Sequence, residues 1–290
     1  MPRLSTATAD RRWLWPTTFL LPAGIVVGFF FYALSIMLHF SVRPSLGPGL
    51  IGDSLTFDNY AGFLKSPFYL DYLFRSLWIS FYCTAITAIL GYVIAYFMYR
   101  VSPRVRLVAG VVLIVQFFTA YVIRTYAVMM VIGKNGVINR LLLDLGVIEA
   151  PLRLLYTEAG VAIGMVLVSL PFMVFPILNS LQTLPRNLEI AAMSLGAGRL
   201  RTFWRVIFPL TLPGVAAGIV IVYLFELTSY IVPGALGGGY FDMMANLIYA
   251  KAMQSFDHPF AAAAAMVMLA VSLAAIYLLQ KLFRRITPRQ

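Results

Sequence analysis

Residues 191–214 read AAMSLGAGRLRTFWRVIFPLTLPG, an unusual stretch in a chain of 290 residues of which 61% are hydrophobic. It contains three arginines, a glycine-rich break and two spaced prolines. Apolar runs long enough to cross a membrane flank it on both sides. The stretch therefore predicts a polar connection between two membrane spans, and the fold depends on how many such spans the chain has.

The composition excludes an ordinary soluble protein. Only 11% of the residues are charged, against roughly a quarter in a typical soluble domain. Six apolar runs reach the ~20 residues that a helix needs to cross the hydrocarbon core. Because backbone groups in lipid must be paired within their own segment, each run is predicted to be helical. The sequence thus predicts an all-α polytopic membrane protein with six transmembrane helices, at residues 15–40, 73–99, 107–132, 160–181, 213–236 and 260–283.

The distribution of lysine and arginine predicts the orientation, since cytoplasmic segments carry an excess of both. Fourteen lie in the two terminal segments and in the second and fourth connections, and six lie in the other connections. The first run is too long for a signal peptide and is expected to be retained. Both termini are therefore predicted to be cytoplasmic. Within a single transmembrane domain 1–290, the prediction gives a cytoplasmic tail 1–14, a cytoplasmic loop 182–212, and extracytoplasmic loops 41–71 and 133–158.

Other function classes find little support. The net charge of +11 is explained by basic residues beside anionic lipid, so no nucleic-acid partner is expected. Cys83 is the one cysteine, which excludes a disulfide within the chain. His39 and His258 stand alone in the sequence, and no metal site is expected.

Two short helices are predicted in the external loops. Residues 57–64 follow the possible capping residue Thr56, with Asp58 as the alternative cap. Residues 137–145 carry aliphatic side chains at helical spacing. They predict a short amphipathic helix at the outer interface.

Within the cytoplasmic loop, Leu188, Ala191, Ala192 and Leu195 form a helical stripe that ends at the glycines 196 and 198. A second short helix is predicted from Arg199, with Phe203, Ile207 and Leu210 on one face. We expect Pro209 and Pro213 to end this helix and to start the fifth span. The physical pattern leaves two interpretations open, a helix that only connects two spans or a docking element for another protein.

The longer stretch EIAAMSLGAGRLRTFWRVIFPLTLPG resembles the EAA loop of ABC-importer permeases. The positions that match the family pattern are Ala191, Ala192, Gly196, Val206 and Pro209. Ile190 stands where the family usually has glutamate, and Glu189 lies one place earlier. The resemblance implies a coupling helix that sits in a groove of an ATPase. The implied ATPase-coupling residues are Glu189, Ile190, Ala191, Ala192, Ser194, Gly196, Ala197 and Arg199.

The segments IRTYAVMMVIGKNGVINRLLLDLGV, LPFMVFPILNSLQTLPRNLEIAA, YIVPGALGGG and HPFAAAAAMVM are similar to those of the spermidine/putrescine permease group, in the same order. The resemblance implies a type I importer subunit of the bacterial inner membrane. Its implied partners are a second permease, two ATPase subunits and an extracytoplasmic solute-binding protein. A polyamine is the expected cargo, while relatives for opines, phosphonates, thiamine or iron look similar and stay open.

The chain is predicted to be a transport subunit rather than an enzyme. No phosphate-binding loop of the G-x-x-x-x-G-K-[ST] type occurs in the sequence. ATP and Mg²⁺ are therefore expected on the partner ATPases, with no cofactor, metal ligand or catalytic residue in this chain. An ion-coupled secondary transporter is the main rival, but no internal repeat supports it. A membrane enzyme would need a cluster of catalytic side chains within the spans.

Glu226 is the one acidic residue predicted to lie deep in a span. Because an intramembrane charge is costly, it calls for a functional hypothesis. With a polyamine cargo, Glu226 would supply the counter-charge, and Tyr230, one helical turn away, would supply an aromatic face. The alternative is a carboxyl group that pairs with a neighbouring helix or stays protonated.

Further candidates lie toward the outer ends of the spans. Arg124 is predicted to have a structural or gating role, and Tyr121 and Tyr126 are candidates for the substrate path or for the interfacial aromatic belt. The run 233–239, with Pro233, Gly237 and Gly238, is predicted to unwind the end of the fifth span and to form a gate.

Overall fold

The computed structural model describes residues 11–185 and 187–286. Predictions for residues 1–10, for Arg186 and for Arg289 concern positions outside this part of the chain. The α-helices are α1 (Arg11–Ser41), α2 (Asp58–Lys65), α3 (Pro67–Arg100), α4 (Pro103–Phe118), α5 (Tyr121–Ile132), α6 (Val137–Asp144), α7 (Glu158–Gln182), α8 (Asn187–Ser194), α9 (Arg199–Thr202), α10 (Phe208–Leu227), α11 (Ile231–Gly237), α12 (Met244–Tyr249) and α13 (His258–Ile286). Two π-helical segments cover Phe203–Ile207 and Ala250–Gln254, and one hairpin pairs β1 (Ser45–Gly47) with β2 (Leu50–Ile51).

Among the described residues, five helical segments are long and apolar enough to cross a membrane, namely Leu20–Ser41, Pro67–Arg100, Glu158–Gln182, Arg199–Leu227 and His258–Arg284. A sixth follows if α4 and the segment Tyr121–Asp144, which are bent by 109° relative to each other, form one span. The bend lies at Thr119 and Ala120, whose ψ angles of 133° and 135° are extended. The apolar helices are confirmed, but a single straight helix over 107–132 is wrong. Six spans and cytoplasmic termini stay predictions.

The fifth span begins earlier than predicted, because the helical path continues from Arg199 to Leu227. Pro209 and Pro213 do not interrupt it, so the expected break at these prolines is wrong. The π segment Phe203–Ile207 instead widens the helix, and the Phe208 N–H bonds to the Phe203 carbonyl. A wider turn accommodates Pro209, whose ring would clash with the carbonyl four residues earlier in a regular α-helix.

The same span also ends earlier than predicted. Helix α10 stops at Leu227, residues 228–230 are not helical, and α11 then covers Ile231–Gly237. The prediction that residues 233–239 unwind the span is therefore wrong for 233–237, which are helical. Pro233 is the third residue of α11, where the helix does not need its N–H group. The break lies before the proline instead of at it.

The contacts divide into two compact units, and the single transmembrane domain 1–290 stays a prediction. The first unit consists of the residues up to Lys65 and Lys251–Met266. Asn59 is buried in this unit, and its side-chain amide donates to the carbonyls of Ser41 (3.0 Å) and Arg43 (2.7 Å). The predicted helix 57–64 is confirmed as α2, and Thr56 Oγ1 accepts from the Asp58 N–H at 3.1 Å.

The second unit consists of Ser66–Ala250 and the residues from Val267 onward. Its core is the packing of α3, α7 and α10 against one another, with large side chains such as Met173, Ile177 and Ile207 fully buried. The predicted helix 137–145 is confirmed as α6. Its Asn139 holds the following segment by bonding to the carbonyls of Gly133 and Leu152 and to the Leu152 N–H.

Met173 shows how closely the three core helices approach one another. A Cβ atom built on Gly91 of α3 would lie 2.6 Å from Met173 Cγ, and one on Gly218 of α10 would lie 2.6 Å from Met173 Sδ. Both distances are far below a normal contact, so any larger residue at either position would displace Met173. Van der Waals packing through small residues is the main attraction between helices in lipid, and here it joins all three.

Candidate functional site

The predicted coupling loop 182–212 exposes several large apolar side chains. None of the side chains of helix α8 is fully buried. It ends at Gly196, whose φ of +83° is left-handed. The Gly196 N–H bonds to the Met193 carbonyl and the Ala197 N–H to the Ala192 carbonyl, which together form a Schellman motif. The helix and its glycine stop are therefore as predicted.

The loop presents large apolar side chains outward on both sides of the glycine stop. Ile190 is 58% exposed, Leu195 88% and Leu200 73%. The anchoring side is opposite, where Ile207 is buried and the Phe203 ring packs edge-on against Tyr96 at 5.1 Å. A segment that is anchored on one side and apolar on its free side is typical of a surface that another protein covers.

The acidic position of the loop faces inward. Glu189 Oε2 accepts a hydrogen bond from Arg100 Nη1, the last residue of α3, at 2.8 Å. The Glu189 side chain is only 16% exposed. Ile190, which stands at the usual glutamate position, points outward instead. Sequence reasoning did not identify Arg100 as the partner, because 89 residues separate it from Glu189 in the chain.

Glu226 lies at the centre of the three-helix core and is 1% exposed. Its Oε2 accepts from Thr84 Oγ1 of α3 at 2.9 Å, and its Oε1 accepts from Ser169 Oγ of α7 at 2.8 Å. The carboxyl group therefore joins α10 to both neighbouring helices. Sequence reasoning found Glu226 but missed Thr84 and Ser169, since hydroxyl residues in a span carry no pattern that marks a partner.

The candidate tyrosines are not arranged as predicted. Tyr230 is not one turn beyond Glu226 on the same helix, because α10 ends at Leu227. Its ring lies 4.9 Å from that of Tyr249, and it is 40% exposed. Tyr121 hydrogen-bonds through its hydroxyl to Ser229 at 2.7 Å, while Tyr126 is 53% exposed. The structure thus places Tyr121 close to the break after α10.

Arg124 bonds to the backbone of α7. Its Nη1 donates to the Val168 carbonyl at 3.2 Å, and its guanidinium lies 5.7 Å from the Tyr121 ring. Beside it, Gln116 Nε2 donates to the Leu167 carbonyl. That carbonyl lacks its usual helical partner, because Pro171 has no N–H to offer. Gln116 and Arg124 therefore attach the bent α4–α5 pair to α7 beside an internal proline.

The glycine turn after α11 is held by Tyr156. Gly238 has a left-handed φ of +57°, and a Cβ atom there would lie 2.3 Å from Tyr156 Cδ1. The Tyr156 N–H also bonds to the Leu236 carbonyl at 2.8 Å. Pro233 and Gly237 are buried within α11. The gating role predicted for these residues stays a prediction, and the geometry adds a reason for glycine at 238.

Asp242, which follows the glycine turn, is partly buried. Burial raises the pKa of the Asp242 carboxyl group, while the nearby Arg75 guanidinium opposes the rise. Arg75 also pairs with Asp71 at 2.5 Å and donates to the Tyr240 carbonyl at 3.0 Å. Arg75 is therefore held by partners within the chain.

Several helices long and apolar enough to cross a membrane, joined by a loop with exposed apolar side chains, are typical of a multi-pass membrane protein that contacts other proteins. Residues 60–288 match the family described as "Binding-protein-dependent transport system inner membrane component". The chain belongs to this family, and it is a multi-pass protein of the inner membrane. Its relatives are ABC transporter permease subunits, which are transport components rather than enzymes.

Curated relatives include the spermidine/putrescine transport system permease protein PotB. The Haemophilus influenzae protein is 34% identical over 253 residues, which cover 86% of this chain and 88% of that relative. The Escherichia coli K12 protein is 38% identical over 208 residues, 72% of this chain and 75% of that relative. The sequence similarity thus extends over most of the chain.

Solved structures show the same fold. A bacterial ABC transporter involved in the import of the acidic polysaccharide alginate matches with a TM-score of 0.78 at 19% identity, covering 96% of this chain and 98% of that one. A chain of the methionine transporter MetNI in an inward-facing conformation matches with a TM-score of 0.55 at 16% identity, covering 77% and 100%. Identities this low support the architecture alone.

Proposed function

We propose that this chain is one permease subunit of an ATP-driven importer and forms half of the path for a polyamine such as spermidine or putrescine. The observation that carries the proposal is the 34% identity to the Haemophilus influenzae spermidine/putrescine permease over 86% of the chain. Similarity over such a length includes the core helices and the coupling loop together, so it supports a shared transport role rather than one shared motif.

The proposed complex has four kinds of component. A second permease completes the path, two ATPase subunits bind ATP and Mg²⁺, and an extracytoplasmic solute-binding protein delivers the cargo. Support comes from the exposed apolar residues of the loop, such as Leu195 and Leu200, which need a protein cover. A similar solved permease was determined in complex with an alginate pentasaccharide-bound periplasmic protein.

The proposed mechanism is alternating access driven by the partner ATPases. When ATP closes the ATPase dimer, α8 is carried with it, and the core helices open toward the loaded binding protein. Hydrolysis returns the helices to the inward-open state, and the cargo enters the cytoplasm. The Schellman stop at Gly196 and the packing of Phe203 on Tyr96 give the loop a defined shape with which to transmit such a displacement.

Glu226 is the proposed counter-charge for a cationic cargo, with Tyr121, Tyr126 and Tyr230 as candidate contacts along the path. In the conformation described, the carboxylate oxygens face Thr84 and Ser169. Contact with cargo therefore requires a conformation in which α10 separates from α3 or α7. Such a separation is the kind of change that alternating access involves.

The test is transport by the reconstituted complex. The two permeases and the ATPase are placed in proteoliposomes with ATP inside, and the binding protein is added outside with radiolabelled spermidine. We expect spermidine uptake that requires both ATP and the binding protein, together with ATP hydrolysis that loaded binding protein stimulates. Uptake that survives removal of the ATPase would favour a secondary transporter. Stimulation by a phosphonate but by no polyamine would contradict the proposed cargo.

A further inference from the structure

We propose that Arg100 and Glu189 form a positioning pair that fixes the coupling helix α8 to the cytoplasmic end of α3, so that movement of α8 is passed into the core helices. This inference rests on the proposed function, because it concerns how the importer transmits force. In this role the two residues hold α8 in place by contacting each other.

The pair is the side-chain link between α8 and the transmembrane core. Arg100 ends α3, and Glu189 lies in the first turn of α8. Their contact of 2.8 Å is the one side-chain hydrogen bond from α8 to another helix among the described residues. Helix α8 also lies against α9 and the π segment Phe203–Ile207, which follow it in the chain, so loss of this contact would remove its hydrogen-bonded link to α3.

Arg100 is oriented by the tyrosines of its own helix. Its Nε and Nη2 donate to Tyr96 Oη at 3.0 and 2.7 Å, and its guanidinium lies 5.0 Å from the Tyr96 ring and 5.7 Å from the Tyr99 ring. Nη1 is left to point at Glu189. A guanidinium held on several sides loses less freedom when it pairs, so this ion pair is better defined than an ordinary surface pair.

The contact continues from Tyr96 into the core. The Tyr96 ring packs edge-on against Phe203 at 5.1 Å, and Tyr92 packs against Phe203 at 5.8 Å and against Phe208 at 5.5 Å. Phe203 and Phe208 begin the π segment and α10, respectively. The chain of contacts thus runs from α8 through the end of α3 to the start of α10, the helix that carries Glu226.

The arrangement also accounts for the unusual residue at position 190. Glu189, one place before the usual acidic position, is 16% exposed and pairs within the chain. Ile190 is 58% exposed and lies on the free side of α8. The charge therefore serves an internal contact, while the outward position offers an apolar surface. In this proposal Glu189 fixes α8 to α3, and Ile190 contacts the partner protein.

The experiment uses the reconstituted complex and compares Arg100→Ala, Glu189→Ala, the double alanine variant and the charge-exchanged variant Arg100→Glu/Glu189→Arg. Uptake and ATP hydrolysis are both divided by the amount of ATPase that copurifies with the permease. We expect each single variant to assemble with its ATPase and to transport about three- to tenfold fewer cargo molecules per ATP hydrolysed. The double alanine variant should be no worse than the singles, because the two residues act through one contact.

Arg104→Ala is the matched control, since Arg104 is an exposed arginine just beyond the end of α3. It should leave cargo transported per ATP unchanged, and the charge-exchanged variant should regain part of the lost ratio. Wild-type ratios in both single variants would overturn the proposal. Loss of copurified ATPase with a normal ratio in the remaining complex would also overturn it, because the pair would then serve assembly only. A wild-type complex without loaded-binding-protein stimulation would instead contradict the proposed function.

Discussion

The three-helix core and the coupling loop differ in how their unusual residues are surrounded. In the core, the charged Glu226 is 1% exposed and both of its carboxylate oxygens have partners within the chain. In the loop, large apolar side chains such as Leu195 are exposed and have no internal cover. An unusual residue is therefore explained by internal hydrogen bonds in the core, and by the proposed external partner in the loop.

The largest effect is expected where the core helices approach most closely. The double variant Gly91→Ala/Gly218→Ala places two methyl groups against Met173, which is fully buried between them. Overpacking of this kind costs about 1–3 kcal/mol per site, so the assembled complex should fall in yield and in melting temperature. Addition of Met173→Ala should restore part of the loss.

Gly110→Ala is the control for this prediction, since the nearest atom to its added Cβ is Met98 Cε at 4.0 Å. Its melting temperature should equal or exceed that of the wild type, because alanine favours a helix over glycine. A double variant as stable as this control would show that the core is looser than the distances indicate.

The second prediction separates the two roles of Glu226. Glu226→Leu removes the acceptor of the buried Thr84 hydroxyl, and a buried group without a partner costs about 1–3 kcal/mol, while Ser169 keeps its bond to the Met165 carbonyl. Its complex should therefore be less stable than that of Glu226→Gln, which keeps an acceptor and a donor at the same place. This comparison is checked by the melting temperatures of the purified complexes.

For transport, Glu226→Gln should assemble normally but take up spermidine with an apparent affinity lower by roughly tenfold, the size expected for a hydrogen bond to a charged group. Saturation curves in proteoliposomes measure this. Equal affinity for the glutamine variant and the wild type would remove Glu226 from the substrate path and leave it a purely internal partner.

The third prediction concerns the glycine turn after α11, where Gly238 and Gly239 both have left-handed backbone, with φ of +57° and +82°. An added Cβ meets the Tyr156 ring at Gly238 but no atom within 4 Å at Gly239. Gly238→Ala should therefore reduce thermal stability more than Gly239→Ala, by about 1–3 kcal/mol. Equal losses in the two variants would mean that backbone strain alone sets the requirement for glycine.

The smallest effect on stability is expected from Ile190→Glu in the exposed loop. A surface substitution of this kind stays within about 0.5 kcal/mol, so the isolated permease should melt as the wild type does. Its copurification with the ATPase should change, because the apolar residue on the free side of α8 is replaced by a charge. Unchanged copurification would place the ATPase contact elsewhere on the loop.

The sequence predicted those features that depend on neighbouring residues. The apolar runs identified the membrane helices, and the spacing of Ala191, Ala192 and Gly196 identified a helix with a glycine stop. Both predictions were correct because helical length, periodicity and a left-handed glycine are local properties of the chain. The predictions based on prolines were wrong at both ends of the fifth span. Whether a proline breaks a helix depends on the backbone conformation around it and on its position in the helix. A π segment accommodates Pro209, and Pro233 lies in the first turn of α11.

By itself, the sequence determined that this is a helical membrane protein with a polar loop that contains a glycine-stopped helix, because hydrophobicity and helical spacing can be read from consecutive residues. Only the tertiary structure decided that Thr84 and Ser169 donate hydrogen bonds to Glu226. It also decided that Met173 fills the space between Gly91 and Gly218, and that Arg100 pairs with Glu189. The physical reason is distance along the chain. The hydrogen-bonded partners are separated by 57 to 142 residues, and helix packing, which no local pattern encodes, brings them together.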